Sequence, residues 1–240
     1  MLRFFRQIRQ RLLTNNKFSK YLLYIGILIA LQIDNWNEDR KERALEQKVL
    51  IQIYNSISQD TNALNQEYRY FQRVLDAANL IKARLDSEAP YEARLDTAFA
   101  WISNINVVEA EYTAFNRLVN IGVDLVKDDS LRNALVSYYD HSRWLKEVEI
   151  YYENSKYFRT VIYPKYFKNF EHSRKAEPVD FQALKQANDF RIALDYSIND
   201  AKWYRGWSEH RKEDAIELLS LLKARMGKEV TESYPKPNGP

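Results

Sequence analysis

Cysteine is absent from this chain of 240 residues, which excludes disulfides, thiolate metal sites and a cysteine nucleophile. Glycine and proline are scarce, with five and six residues, too few for the many turns of an all-β or α/β chain. Residues 1–89 contain no proline, and Gly26 is the one glycine among them. Long uninterrupted helices are therefore predicted, and the predicted fold class is all-α.

Acidic residues are missing from the N-terminal part of the chain. Before Asp34 there are six basic residues and no acid: Arg3, Arg6, Arg9, Arg11, Lys17 and Lys20. Removing those six from the 36 basic residues leaves 30 against 33 acidic ones, a net charge of −3. A slightly acidic body argues against nucleic acid as the main partner.

Residues 1–17 have the pattern of a basic amphipathic helix. Leu2, Phe5, Ile8 and Leu12 share one helical face, and the arginines lie elsewhere. Such helices lie on anionic lipid headgroups, so we expect this segment on the cytoplasmic membrane surface. The alternative is a cleaved signal or transit peptide, but no small-residue cleavage site follows the next apolar run.

A short uncharged run, Tyr21 to Ile33, follows the basic segment. As a helix it reaches roughly 20 Å, against about 30 Å for a bilayer core. We assign a short membrane anchor to residues 18–36, and the alternative is a helix buried in a soluble bundle. The anchor residues are Tyr21, Leu22, Leu23, Tyr24, Ile25, Ile27, Leu28, Ile29, Leu31, Ile33 and Trp36. If the run spans the bilayer, the basic residues keep the N-terminus in the cytoplasm.

Residues 37–227 are predicted to form a helical extracytoplasmic domain, and residues 228–240 a flexible tail. The pattern is helical from Asp34 to about Asp86, and apolar residues recur mostly every three or four positions from Leu45 to Leu85. We therefore predict that the membrane helix continues into a long coiled-coil-like stalk helix, followed by an antiparallel helical bundle. The further predicted elements are helices over 93–102 and 109–120, a long helix from Asp128 or Asp129 that Pro164 kinks or ends near Tyr163, a polar linker from Glu171 to Pro178, and a last helix from Asp189 to Met226.

The sequence offers no support for an enzyme. The three histidines, His141, His172 and His210, show neither the His-Glu-x-x-His nor the Glu-x-x-His pattern. Five scattered glycines cannot build a phosphate-binding loop. We therefore predict no catalytic residue, no cofactor and no metal.

Aromatic residues are the one excess, with 17 tyrosines, 11 phenylalanines and five tryptophans. They indicate an aromatic bundle core, a partner surface, or a small-ligand pocket between helices. In the helix from residue 131 the predicted core stripe is Leu131, Leu135, Tyr138, Leu145, Val148 and Tyr152. The residues predicted on the flanks or outside, as a candidate contact surface, are Tyr139, Tyr151, Trp203 and Trp207.

Two stretches resemble one known family. They are MLRFFRQIRQRLLTNNKFSKYLLYIGILIALQIDNWNEDRK at the N-terminus and a pattern that comprises Phe115, Leu118, Gly122, Leu125, Asp128, Leu131, Arg132, Leu135, Tyr138 and Tyr139. Together they resemble an uncharacterised family of single-pass membrane proteins from Gram-negative bacteria. The resemblance implies an N-terminal transmembrane helix and a helical extracytoplasmic region, but no activity. In that family the apolar segment is longer, with extra hydrophobic residues where Tyr24 here joins Ile25.

The expected protein is thus anchored in the bacterial inner membrane with its C-terminal domain in the periplasm. Its expected work is non-catalytic: scaffolding or binding of a protein partner, including self-association, beside membrane lipid. The rival is a periplasmic small-molecule sensor bundle, which would need a separate signalling partner.

Overall fold

The computed structural model describes residues 16–147 and 152–227. These residues are mainly helical, as the all-α prediction requires, with one small antiparallel hairpin. The helices are α1 (Asn16–Leu85), α2 (Leu95–Trp101), α3 (Thr113–Ile121), α4 (Asp129–Glu147), α5 (Glu153–Tyr157), α6 (Tyr163–Tyr166), α7 (Phe181–Gln186) and α8 (Asn188–Met226); the strands are β1 (Phe167–Glu171) and β2 (Lys175–Pro178). By its contacts the chain divides into two units, up to Val49 and from Leu50 onward.

Helix α1 is unbroken because nothing in its sequence interrupts it: it contains no proline and a single glycine. From Leu50 to Leu85 its buried positions alternate at threes and fours, the spacing of one helical face. Lys82 and Arg84 lie in the last turn, where positive charge favours the helix dipole. The periodicity that predicted this helix is confirmed.

Helix α3 begins later than predicted, at Thr113 rather than near Glu109. The reason is that the preceding backbone is engaged by side chains of α1. The Val108 and Glu111 N–H groups donate to the carboxylates of Glu67 and Asp60 at 2.7 and 3.2 Å. The helix ends at Gly122, whose φ of 119° suits glycine and whose N–H donates to the Leu118 carbonyl.

Helix α4 has the predicted N-terminus: the Asp128 carboxylate accepts a hydrogen bond from the Leu131 N–H at 3.0 Å. Leu131, Leu135 and Tyr138 are buried, as the core stripe requires. The stripe fails at Tyr152, which is 44% exposed. Tyr152 directly precedes the short helix α5, and residues 148–151 before it lie outside the described part of the chain. The Leu145 side chain and Val148 lie outside the described residues.

The predicted polar linker from Glu171 to Pro178 is wrong, because most of it belongs to a β-hairpin. A π-helical turn, Phe158–Ile162, leads into α6, with Pro164 in its first turn, and the chain then becomes extended at Phe167. Strands β1 and β2 pair antiparallel, with Phe170 opposite Ala176. Ala176 is fully buried although most of the hairpin is exposed. The strands are too short and too polar to show an alternating pattern.

Helix α8 is confirmed almost to its predicted ends. All six positions predicted to point inward are buried: Leu194, Ile198, Ala201, Tyr204, Leu218 and Leu222. The short α7 before it was not predicted. Asp180 begins α7 by accepting hydrogen bonds from the N–H groups of Gln182 and Ala183. The largest cluster of the core combines α1, α2, the hairpin, α7 and the first half of α8.

Candidate functional site

The predicted anchor lies within α1, and its side chains are exposed on every side of the helix. Each large hydrophobic residue described between Tyr21 and Trp36 is at least 49% exposed. The side chains of Leu22 and Leu23, the basic segment of residues 1–15 and the tail of residues 228–240 lie outside the described part of the chain. No helix within the described residues is long and apolar enough to cross a membrane.

Tyr139 does not lie on an exposed flank, which corrects its place in the candidate contact surface. Its side chain is fully buried. The ring stacks on Phe115 of α3 at 4.2 Å between centroids, and Tyr112 packs against it at 5.4 Å. A second helix covers the flank of α4 that we expected to be open, so both tyrosines of the Tyr138–Tyr139 pair belong to the interior.

The structure describes two of the other three contact candidates, Trp203 and Trp207. Trp203 and Trp207 are half-buried and stack in parallel, with ring centroids 5.6 Å apart. They pack against the buried cluster of Phe71 and Tyr204, so part of the surface of each ring is buried in the core. Their role in partner contact stays a prediction. Tyr151 lies outside the described residues.

A network of buried charges lies between α1, the segment before α3, α4 and α8, and the sequence reasoning missed it. Asp60 and Glu67 are both buried on the inner face of α1. Asp60 accepts the hydroxyl hydrogen bond of Tyr138 at 3.0 Å, in addition to the Glu111 N–H. Glu67 accepts from the Ser208 hydroxyl at 2.9 Å, in addition to the Val108 N–H. These four hydrogen bonds tie α1 to three other parts of the bundle.

Arg211 of α8 supplies the positive charge of this network. It is buried, with its Nη1 3.9 Å from the Glu67 carboxylate and 3.1 Å from the Val108 carbonyl oxygen. Its Nε and Nη2 have no hydrogen-bond partner among the described residues. Burial raises the pKa of both Asp60 and Glu67, and the hydrogen bonds and Arg211 oppose that rise.

A signal for this network existed in the sequence. Asp60 and Glu67 continue the three-and-four spacing of Ile57, Leu64 and Phe71 along α1, so both acids stand at core positions. Arg211 likewise follows Ser208 by three on the buried face of α8. Charged residues at apolar positions of a helical repeat indicate buried ion pairs.

A second feature is an open groove of about 880 Å³ between α5 and the first half of α8. Helix α8 presents Ile192, Tyr196 and Asp200 to it, four residues apart and therefore on one helical face. Tyr157 of α5 lines the opposite wall. Ile192 and Tyr196 are 49% and 59% exposed. The groove thus combines apolar and aromatic side chains with polar ones, which include three carboxylates.

Asp200 also borders a small polar cavity of about 10 Å³, room for about one water molecule. Partial burial raises the pKa of Asp200 to about 6, and a hydrogen bond from Asn154 opposes the rise. The Asn154 amide also donates to the Ser197 hydroxyl at 3.0 Å. No lysine or arginine among the described side chains forms an ion pair with Asp200.

Two of the three histidines lie near one aspartate. His141 and His210 each stand 3.9 Å from the same carboxylate, that of Asp214. Within residues 16–147 and 152–227, no group of three potential ligands is arranged to hold a metal ion.

Comparison with known proteins yields one match. Residues 20–171 match the model of a family of unknown function, DUF6090. No curated protein and no solved structure matches the chain. The matched region covers more than half of the chain and contains most of α1, the buried acids Asp60 and Glu67, and the aromatic contacts of Tyr139. The chain is therefore a member of the DUF6090 family.

Proposed function

We propose that this protein is a membrane-anchored, non-catalytic helical module that binds a protein partner or acts as a scaffold at the bacterial inner membrane. The observation that carries the proposal is the apolar segment of α1 around Tyr21 to Trp36, exposed on all sides. A helix that is apolar all round is stable when lipid or protein surrounds it. Its exposed area is therefore the part of the molecule that most requires a partner.

Lipid is the partner that the flanking residues favour. Tyr21, Tyr24 and Trp36 stand near the two ends of the apolar run, where aromatic rings settle at membrane interfaces. The nineteen residues from Phe18 to Trp36 reach about 28 Å as a helix, close to a bilayer core of about 30 Å. In that span Lys20 extends its charge to the headgroups.

The orientation follows from the basic residues. All six cations of the first 33 residues precede the apolar run. The positive-inside rule then gives a cytoplasmic N-terminus and a periplasmic helical domain, in a single-pass arrangement. The resemblance noted above supports the same arrangement.

Membrane fractionation tests the anchor. We expect the full chain to stay in the membrane fraction through high-salt and carbonate washes, and a chain that begins at Asn37 to be recovered folded outside it. The double variant Leu28→Arg/Ile29→Arg places two charges in the apolar run, each costing about 2.5–3.5 kcal/mol at a bilayer centre, and should be extracted. Ala44→Arg/Gln47→Arg adds the same charge at two exposed positions of α1 beyond residues 18–36 and should stay. Release of the unchanged chain by salt alone would contradict the anchor.

Topology is tested by fusion after Met226. Alkaline phosphatase is active in the periplasm, and we expect it to be active at this position. Green fluorescent protein exported in an unfolded form does not fluoresce, so its fluorescence at the same position would contradict the crossing.

Partner binding is tested at the tryptophan pair. Co-purification from solubilised membranes should yield a stoichiometric protein partner, or a homo-oligomer, that Trp203→Ala/Trp207→Ala weakens by at least tenfold. Ile216→Ala removes a 51% exposed apolar side chain from the same helix and serves as the control. Melting temperatures of both variants separate lost contact from lost folding. Partner capture that is equal in both variants would remove the tryptophans from the contact surface.

A second function, a small-molecule sensor bundle that works with a separate signalling protein, is favoured by the groove between α5 and α8. Its volume falls within the range of ligand sites, which is about 300–1,000 Å³. It combines apolar side chains with a few polar groups, among them the Asp200 carboxylate, and such sites commonly hold small ligands. A small molecule retained through purification, in place of a protein partner, would favour this function over the scaffold.

A further inference from the structure

The groove between α5 and α8 has an uneven distribution of charge. Three carboxylates line it, those of Glu153, Asp189 and Asp200. Glu153 has Lys156 at 3.7 Å, and Asp189 has Lys165 at 2.8 Å. Asp200 receives a hydrogen bond from a neutral amide and has no cation beside it among the described side chains. Among the side chains that the structure describes, Asp200 is therefore the one of these three carboxylates without a lysine or arginine partner.

The position of the Asp200 carboxylate strengthens its attraction for a cation. Asp200 stands where the groove meets the small polar cavity, so its carboxylate is partly withdrawn from water. A carboxylate in such surroundings gains more from a bound cation than an exposed one, because the attraction is less screened. The groove is therefore complementary in charge to a ligand that carries one positive charge.

The walls define the rest of the ligand. Ile192 and Tyr196 lie eight and four residues before Asp200, so they stand about 12 Å and about 6 Å from it along the axis of α8. Tyr157 faces this wall from α5 and is itself 38% exposed. An alkyl chain or an aromatic ring that lies along Ile192 and Tyr196 would bring an attached ammonium group to Asp200.

We propose that the groove between α5 and α8 binds an organic monoamine, with its ammonium group on the Asp200 carboxylate and its alkyl or aromatic body against Ile192, Tyr196 and Tyr157. The inference rests on the sensor function proposed above and supplies its ligand class. The ammonium donates hydrogen bonds to the Asp200 oxygens, and the tyrosine rings cover the apolar body. Since the other two carboxylates already have lysine partners, the site favours a single charge over a polyamine.

Titration of the full chain in lipid nanodiscs with 4-phenylbutylamine tests the inference, with empty nanodiscs as the blank. We expect saturable binding to one site per chain. Asp200→Asn keeps the size of the side chain and removes its charge, so its dissociation constant should rise at least tenfold. Glu209→Gln removes an exposed carboxylate from the same helix outside the groove and should change the constant less than twofold.

Two further measurements separate the two ends of the ligand. The unchanged protein should bind the uncharged analogue 4-phenylbutanol at least tenfold more weakly than the amine. Its affinity for 4-phenylbutanol should be the same as that of Asp200→Asn. Tyr196→Ala should weaken the binding of the amine and of the alcohol by a similar factor, because it removes apolar contact and no charge. The affinity for the amine should also fall about tenfold from pH 7.5 to pH 5, as Asp200 takes up a proton.

Absence of saturable binding, or equal affinity of the unchanged protein and Asp200→Asn for the amine, would overturn the inference. The melting temperature of each variant, measured in the same nanodiscs, shows that the groove is folded. The outcome is independent of the anchor: a carbonate-extracted protein that binds the amine contradicts the anchor alone, and an anchored protein that does not bind contradicts the ligand alone.

Discussion

Replacing Arg211 by methionine tests the buried charge network, because it removes the guanidinium that faces both Asp60 and Glu67. At 3.9 Å and an effective dielectric constant of about 20, the attraction between Arg211 and Glu67 is roughly 4 kcal/mol. The hydrogen bond to the Val108 carbonyl contributes about 1 kcal/mol more. Removing the guanidinium also removes its own desolvation cost, which offsets part of both. We expect a net loss of about 3 kcal/mol in the free energy of unfolding near pH 8.

The loss should depend on pH, with a definite sign. Burial already raises the pKa of Asp60 and Glu67 above their ordinary values of 3.8 and 4.5, and without Arg211 both rise further. A carboxyl group whose pKa is raised in the folded state lowers stability at high pH. That penalty disappears as the pH falls through the raised pKa toward the unfolded value. The loss should therefore shrink by about 1 kcal/mol or more between pH 8 and pH 5.

Urea unfolding of the full chain in mild detergent, followed by the circular dichroism of its helices, measures both effects. Lys202→Met removes an exposed cation from the same helix and should cost less than about 0.5 kcal/mol at either pH. An equal loss for Arg211→Met at pH 8 and pH 5 would mean that packing, not charge, holds Arg211 in place. A loss no larger than that of Lys202→Met would refute the network.

Five further substitutions test the interior and a helix end by the same unfolding measurement. Tyr139→Ala should lower the free energy of unfolding by about 3–5 kcal/mol, because the ring is fully buried against α3. A loss below about 1 kcal/mol would mean that the ring is exposed. Tyr139→Phe should be nearly neutral, since its hydroxyl has no partner among the described residues, whereas Tyr138→Phe should cost about 1–3 kcal/mol by removing a donor to Asp60. Asp128→Ala should cost about 1 kcal/mol as the lost cap of α4, and Asp129→Ala, an 80% exposed member of a surface ion pair, less than about 0.5 kcal/mol.

The buried charges could be located from the sequence but not paired from it. The spacing of α1 places Asp60 and Glu67 on its inner face, and that of α8 does the same for Arg211. Which charges meet depends on how the two helices align, and Glu67 and Arg211 are 144 positions apart in the chain (211 − 67). A helical pattern gives the face of a residue but not its neighbour on another helix.

The hairpin and the groove show the same limit. Ala176 is buried because other elements cover β2, and no pattern of four residues predicts that. Ile192 and Tyr196 look like core residues by type. They are exposed because they lie on the face of α8 that borders the open groove.

Propensity and spacing within single segments were enough to predict the helical class, the C-terminal end of α1, the extent of α8, the cap of α4 and most of the buried positions of these helices. Contacts between segments decide that α3 covers Tyr139, that Arg211 meets Glu67, and that Asp200 lies in a groove where no described lysine or arginine pairs with it. The physical reason is that burial and pairing are properties of two surfaces in contact. Each segment carries the pattern of one surface, and folding decides which two surfaces meet.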